Sequence, residues 1–389
     1  MKLRHLTKTI TGVILGISLT SIAIGCSSLA SGDKYSKSKI NQISKLLQHS
    51  YLRDIDNKKI EDSIYAGYVS GLEDPMTIYL NEEQFEKQQV LEEGKYIGTG
   101  LQFEWGLNGR YIIVTDIIKD SPASLEDIKI GDKIIEIDGI KVMLANETEL
   151  YEKLSYTGDK PVTYTFEDND GSRKRQIKLM SKIINIKSMS HKILKNNIGY
   201  VTVFAVKEGA SKELEQIIKE LEASGAKSFI FDLRNAYSNN IEEIYQMANL
   251  FINEKVAFKI KNKKGEIKEY KTMNAAYEEP VAILINERTK GAPEAFAAAI
   301  KDAKRGMIIG TASAGVGSVN EIIPLQDKTG LMVATGIIYT AGDISLKDKG
   351  VTPDIEIKSG VEAVIELITK GKIDEKNDLQ LMEALNRLS

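Results

Sequence analysis

The chain of 389 residues has almost nothing with which to hold a metal or form a disulfide: one cysteine, Cys26, and three histidines, His5, His49 and His191. A single cysteine excludes a disulfide framework and any Cys-rich zinc or iron–sulfur site, and so few histidines leave no basis for a His-based metal site. No cofactor is expected. An excess of charge of one sign is also missing, since 52 Lys+Arg stand against 55 Asp+Glu for a formal net charge of −3. Without a basic field, nucleic acid is a poor partner. Long apolar runs are scarce: the one at 10–24 is short for a helix that must cross ~30 Å of hydrocarbon. What is present, 42% hydrophobic and 28% charged residues, suffices for two or three domains with cores of their own and excludes a disordered or collagen-like chain.

The N-terminus carries Lys2, Arg4, His5 and Lys8, then the apolar run, then Gly25-Cys26-Ser27-Ser28. Charged-then-apolar is the pattern of a secretory signal. The cysteine directly after the run resembles the lipobox of a bacterial lipoprotein. That resemblance implies that residues 1–25 are removed and that Cys26 is the lipidated first residue. The mature protein would then be extracytoplasmic and anchored to the cell membrane. Residues 26–39, mostly Ser, Gly, Lys and Asp, read as a solvated tether.

Residues 40–93 read as a helical region. Ile40, Ile43, Leu46 and Leu47 recur at helical spacing, as do Ile60, Ile64, Tyr65, Tyr68 and Val69, so two amphipathic helices are expected to pair before Pro75 breaks the pattern. From 94 to 181 short β-patterned runs at 100–105, 111–118, 133–137, 161–166 and 175–179 alternate with turn dipeptides such as Asn108-Gly109 and Asp138-Gly139, with one helix at 147–154. A compact β domain is expected. From 182 to 375 strands alternate with helices, the pattern of an α/β layer, and 376–389 read as a terminal helix. His191 falls in a polar stretch, 188–197, that reads as a surface linker. The expected fold class is therefore multidomain α+β and α/β: N-terminal helices, a compact β domain and an α/β core.

Five segments in order carry a specific resemblance. They are Leu72-Glu73-Asp74-Pro75 with Tyr79-Leu80; Gly98-Thr99-Gly100-Leu101; Asp120-Ser121-Pro122-Ala123 with 131–139; Asp232-Leu233-Arg234-Asn235; and Gly350-Val351-Thr352-Pro353-Asp354. Together they resemble the C-terminal processing peptidases, or tail-specific proteases, which carry a PDZ domain. The family implies a serine nucleophile with a lysine as general base, and a lysine serves only where burial lowers its pKa and the hydroxyl is within reach. Aligned on Asn286 and Glu294, the serine position of this chain is Gly291. Aligned on Gly315, Gly317 and Ser318, the lysine position is Val316, and Asn320 stands where the family has a supporting glutamine. The glycines that expose backbone to the oxyanion are replaced by Ser238 and Asn239, after Ala236-Tyr237.

Nucleophile, base and oxyanion loop thus all depart from the pattern, which implies a pseudoprotease. Thr289, Lys290, Ser313 and Ser318 lie close in sequence to the altered positions. However, adjacent residues of an extended segment face opposite ways, so Thr289 and Lys290 read as a polar turn before a helix rather than as a nucleophile–base pair. The PDZ-like segment keeps its parts: Gly98, Thr99, Gly100 and Leu101 offer main-chain N–H groups to a peptide C-terminus, with Leu101 and Phe103 expected to line the side-chain pocket. The expected partners are protein C-terminal peptides, the membrane through the anchor, a catalytically complete relative and a second copy of the chain. An endopeptidase with an atypical or partner-completed site, and a purely structural envelope protein, are the alternatives.

Overall fold

The computed structural model describes residues 33–358 and 377–389, apart from 107–108, 146–149, 151–152, 155–157, 159, 186 and 274. The signal segment, Cys26, Asn108 and part of the helix expected at 147–154 lie outside the described residues. Two compact units emerge, one of residues up to Glu86 together with 320–334, the other of 87–319 with the residues from Thr335 onward.

In the smaller unit, helices α1 (Asp33–Ser50) and α2 (Asn57–Ser70) precede a short strand β1 (Ile78–Leu80), and helix α3 (Glu82–Glu92) begins there. Helix α1 starts inside the segment expected to be a tether. The expected helix pairing is not what the chain does: Ile43 and Leu46 are 49% and 60% exposed, and every described side chain of α1 faces solvent. Asp56 caps α2 by accepting from the Lys59 N–H at 3.0 Å. Asp74, ahead of Pro75, accepts from the Thr77 hydroxyl, which itself accepts from the Ala334 N–H at 3.1 Å. This turn delivers β1 to residues 330–332, with Ile78 opposite Met332, and Leu80, Phe85 and Met332 form the small core.

The β domain runs through β2 (Lys95–Gly98), β3 (Leu101–Trp105), β4 (Ile112–Ile117), β5 (Lys133–Ile137), β6 (Ile140–Lys141), β7 (Val162–Glu167), β8 (Lys174–Leu179) and β9 (Lys182–Asn185). Its sheet has the order β3-β4-β5-β7-β8 with β6 beside β5, and β2 pairs separately with β9. Alternation supplies the core: Val162, Tyr164 and Phe166 point inward from β7 onto Ile112, Val114 and Ile134. Strand β3 is the sheet's edge. Buried Arg175 ties the strand ends together through Asp132 at 2.5 Å and Asp168 at 3.0 Å.

The α/β core comprises β10 (Met189–Leu194), β11 (Ile198–Val203), α4 (Ala210–Ala223), β12 (Ser228–Asp232), β13 (Tyr237–Ser238), α5 (Ile241–Asn249), β14 (Val256–Asn262), β15 (Ile267–Lys271), β16 (Val281–Ile285), β17 (Lys290–Gly291), α6 (Ala292–Asp302), β18 (Gly306–Gly310), β19 (Ser318–Pro324), β20 (Gly330–Thr340), β21 (Ile355–Glu356) and α7 (Leu379–Leu388). The sheet order is β10-β11-β12-β16-β18-β21, parallel from β11 onward. Strands β12 and β16 are buried at every position, as central parallel strands covered on both faces must be. One face packs on Leu214, Ile217, Ile218 and Leu221 of α4, spaced along one helical stripe, and presents Phe231 of β12 to Phe251 and Phe296. The other packs on Leu381 and Ala384 of α7. His191 is not in a linker but on β10, where its Nε2 lies 3.3 Å from Glu220.

Helix α7 is held at its start by charge. Asp378 caps it, accepting from the Leu381 N–H, and pairs with Arg234, whose guanidinium also bonds Asp232 and Gln380. Burial opposes the charge on Arg234, but Asp232 and Asp378 outweigh it and hold the guanidinium above its ordinary pKa. Asp378→Ala removes the cap and half of the counter-charge, and should lower stability by about 3 kcal/mol, read as a lower urea midpoint with earlier proteolytic release of α7.

Candidate active site

In open parallel sheets the functional loops follow the C-terminal ends of the strands. Here three such loops leave the adjacent strands β12, β16 and β18: residues 233–240, 286–291 and 311–317. They contain every position at which the resemblance expects catalytic chemistry except Asn320, which lies on β19 and is buried.

The second and third loops are joined by one carboxylate. Glu294, in the first turn of α6, is fully buried and accepts from five donors. Oε1 takes the Ser313 hydroxyl at 2.7 Å and the Gly315 N–H at 2.7 Å. Oε2 takes the N–H groups of Gly291 at 2.9 Å, Val316 at 3.1 Å and Gly317 at 3.3 Å. The serine position and the lysine position therefore share one oxygen atom through their main chain. Their side chains contribute a hydrogen atom and an isopropyl group, neither of which can attack a carbonyl or take up a proton.

The first loop is joined to the second by main chain. Strands β13 and β17 pair in parallel, Tyr237 with Lys290 and Ser238 with Gly291, and the Lys290 N–H donates to Ala236 O at 2.9 Å. Gly291 has φ 70° and ψ −131°, a backbone state open to glycine and strained for other residues. A β-carbon there would lie 2.5 Å from the Ser238 carbonyl oxygen and 3.7 Å from the Tyr237 ring. The Tyr237 phenol is pushed up to about 12 by burial.

The remaining hydroxyls are committed. The Ser238 hydroxyl donates to Val206 O at 2.8 Å and accepts from the Asn240 N–H, next to Asn239. Thr289 is fully buried, donates to Leu233 O at 2.9 Å and accepts from the Asn286 N–H, so it closes the 286–289 turn. Besides donating to Glu294, the Ser313 hydroxyl accepts from the Val351 N–H at 2.7 Å. Ser318 is buried and hydrogen-bonded. Arg288, in the same turn as Thr289, reaches Glu104 on β3 at 3.3 Å; burial raises the Glu104 carboxyl and Arg288 partly offsets it. Among the described residues no group of three or more His, Cys, Asp or Glu is placed to hold a metal ion.

A second site sits at the start of β3. Gly98, Thr99 and Gly100 are buried, and the carbonyls of Thr99 and Gly100 accept from Ala123 and Ile118 at 2.9 Å each. Among the described residues the N–H groups of Thr99 and Gly100 donate to no protein acceptor. Gly100 has φ 86°, and a β-carbon there would fall on the Ser121 side chain. Leu101 does not line an open pocket, as expected from the sequence, but is 4% exposed in the domain core, with Phe103 packed against it.

Residues 197–357 match the model of peptidase family S41, and residues 88–164 that of the PDZ domain. The chain carries an S41 peptidase domain and a PDZ domain. Over 381 residues, 95% of this chain and 76% of the relative, it is 27% identical to a "Probable CtpA-like serine protease" of Staphylococcus aureus strain COL. It is 25% identical over 357 residues to a carboxy-terminal-processing protease of Bartonella bacilliformis, covering 90% of this chain and 81% of that one. Among solved structures, the photosystem II D1 C-terminal processing protease matches with a TM-score of 0.53 at 20% identity, covering 87% of this chain and 92% of its own. Mature CPAF matches with a TM-score of 0.52 at 12% identity, covering 91% and 90%. At these identities the structural likeness speaks for the S41 fold alone.

Sequence reasoning used Glu294 of the S41 domain only to set the register and missed its five donors. The Glu-x-x signal three residues after the helix start could have suggested the bond to Gly291, since a first-turn Glu commonly reaches back to the cap. The Glu294→Gln variant keeps the shape but turns an amide N–H₂ toward main-chain donors, whichever way it is flipped. It should lose about 3 kcal/mol of stability by urea unfolding, while the same charge removal at exposed Glu83, Glu83→Gln, stays within about 0.5 kcal/mol.

Proposed function

We propose that this chain is a catalytically inert member of the C-terminal processing peptidase group, an extracytoplasmic protein lipidated at Cys26. It holds protein C-termini through its PDZ domain, as an adaptor or regulator for a catalytically complete relative. The observation that carries the reading is at the serine position: Gly291 lacks a side chain, adopts a positive φ, and faces the Ser238 carbonyl where a β-carbon would stand. A nucleophile cannot be supplied by its neighbours without breaking the bonds that shape the loops, because Thr289, Ser238 and Ser313 are all engaged. Peptide binding, in contrast, asks of the PDZ loop only main-chain donors, and those of Thr99 and Gly100 are unspent.

The names of the relatives favour the competing reading, a serine endopeptidase with an atypical or partner-completed site. The two are separated by incubating the mature protein with an unfolded substrate ending in apolar residues. No cleavage is expected, and cleavage abolished by Thr289→Ala or Ser318→Ala would overturn the inert reading.

Returning Gly291→Ser and Val316→Lys together should give less than about 1% of the rate of a complete relative, because a missing oxyanion donor alone costs about 100- to 1,000-fold. The new serine must also displace the Ser238 carbonyl. Adding glycines at Ser238 and Asn239 should raise that rate; a double variant as fast as the relative would show that the oxyanion loop is sound.

The anchor has its own test. Among the described residues no helix is long and apolar enough to cross a membrane, so attachment in this reading rests on the acyl chains at Cys26. The Cys26→Ser variant should appear in the unprocessed form or in the soluble fraction, measured by fractionation and mass; a lipid-free mature protein that still pellets with membranes would sink the anchor.

A further inference from the structure

Strand β2 leads directly into the PDZ loop, and alternate residues of a strand share a face. Tyr96 and Gly98 are such a pair, and the Tyr96 ring lies across the glycine: a β-carbon at Gly98 would fall 2.2 Å from the phenol oxygen. Ile184, directly opposite Tyr96 on β9, reaches forward over the same loop, 3.5 Å from where a β-carbon of Gly100 would be. The Ser121 hydroxyl stands 2.1 Å from that same point and is already engaged, accepting from the Ser124 N–H at 3.3 Å. The two glycines of the loop are thus overlaid by two hydroxyls, of which one has a partner. The other, on Tyr96, has no hydrogen-bond partner among the described residues.

The half-buried Tyr96 side chain keeps its hydroxyl within reach of solvent above Gly98, where it can meet a ligand, and phenylalanine would fill the same space without it. Beside it stand two main-chain N–H groups, of Thr99 and Gly100, that also lack an acceptor. Three donors without a protein acceptor of their own suit an anion with at least two oxygens. Burial raises the Tyr96 phenol pKa, so at neutral pH it remains protonated and can donate.

We propose that the Tyr96 hydroxyl is a ligand-contacting group of the PDZ loop, donating to the terminal carboxylate of a bound peptide alongside the N–H groups of Thr99 and Gly100. This rests on the peptide-binding reading above and sharpens it. Main-chain donors already favour a free acid, and a phenol fixed on β2 adds a side-chain donor that strengthens that preference over an amide or an ester.

The test uses the mature full chain and a biotinylated decapeptide pool, randomised at its last four positions, made with a free carboxylate or a C-terminal carboxamide. Binding is read by biolayer interferometry. The wild-type chain should prefer the acid pool, and Tyr96→Phe should weaken acid binding about tenfold while leaving amide binding and the thermal unfolding midpoint unchanged. A wild-type preference for the acid that survives intact in Tyr96→Phe overturns the role of the phenol and leaves the peptide-binding reading standing. No preference in the wild-type chain overturns both.

Discussion

A single carboxylate buried at the head of α6 sets the geometry on which the rest of the S41 site depends. Glu294 has no access to water, and an ion in that position is tolerated only because five donors surround it. Four of the five come from the loop 313–317, so the cost of burying the charge is offset only when that loop is closed onto the helix. Loop closure and helix burial are therefore one event. The loop that the family uses to bring a lysine to a serine is retained here as architecture, although neither side chain is present.

The pairing of β13 with β17 has the complementary effect. It hydrogen-bonds residues 237–238 to 290–291, and the absence of a side chain at Gly291 is what lets the Ser238 carbonyl come so close. The glycine at 291 and the pairing of the two segments are physically linked, because a side chain at 291 would meet the Ser238 carbonyl. The PDZ loop shows the opposite condition: its donors are held open by the bonds that its carbonyls make to Ile118 and Ala123.

Much of this could be read in the residues. Helix α4 and the strands β12 and β16 are visible because complete burial forces continuous apolar runs or a clean helical stripe, while the PDZ domain and the S41 core are legible from the five collinear segments. Strand β10 was hidden, since this edge strand is exposed at every position from Ser190 to Ile193, carries Ser190, His191 and Lys192, and so looks like a linker. The start of α1 was hidden for a similar reason, lying among Ser, Lys and Asp. In the site, the positions Gly291 and Val316 are legible from the residues that flank them. The bonds that bind them are not, because the partners are main-chain N–H groups, which every residue but proline has, and because a two-residue pairing such as β13 with β17 is too short to show a period.

The ion cluster around Arg234 has a bearing on how the chain is made. Arg234 precedes its partners Asp378 and Gln380 by 144 and 146 residues. Until residue 380 has emerged from the ribosome, the guanidinium at the end of a central strand has Asp232 alone and faces an unfilled apolar surface. Contacts so distant in sequence form late and slowly, since the loop they close must first be ordered. The core is thus biased to close only after its last helix has been made, so that the order of synthesis and the order of locking coincide.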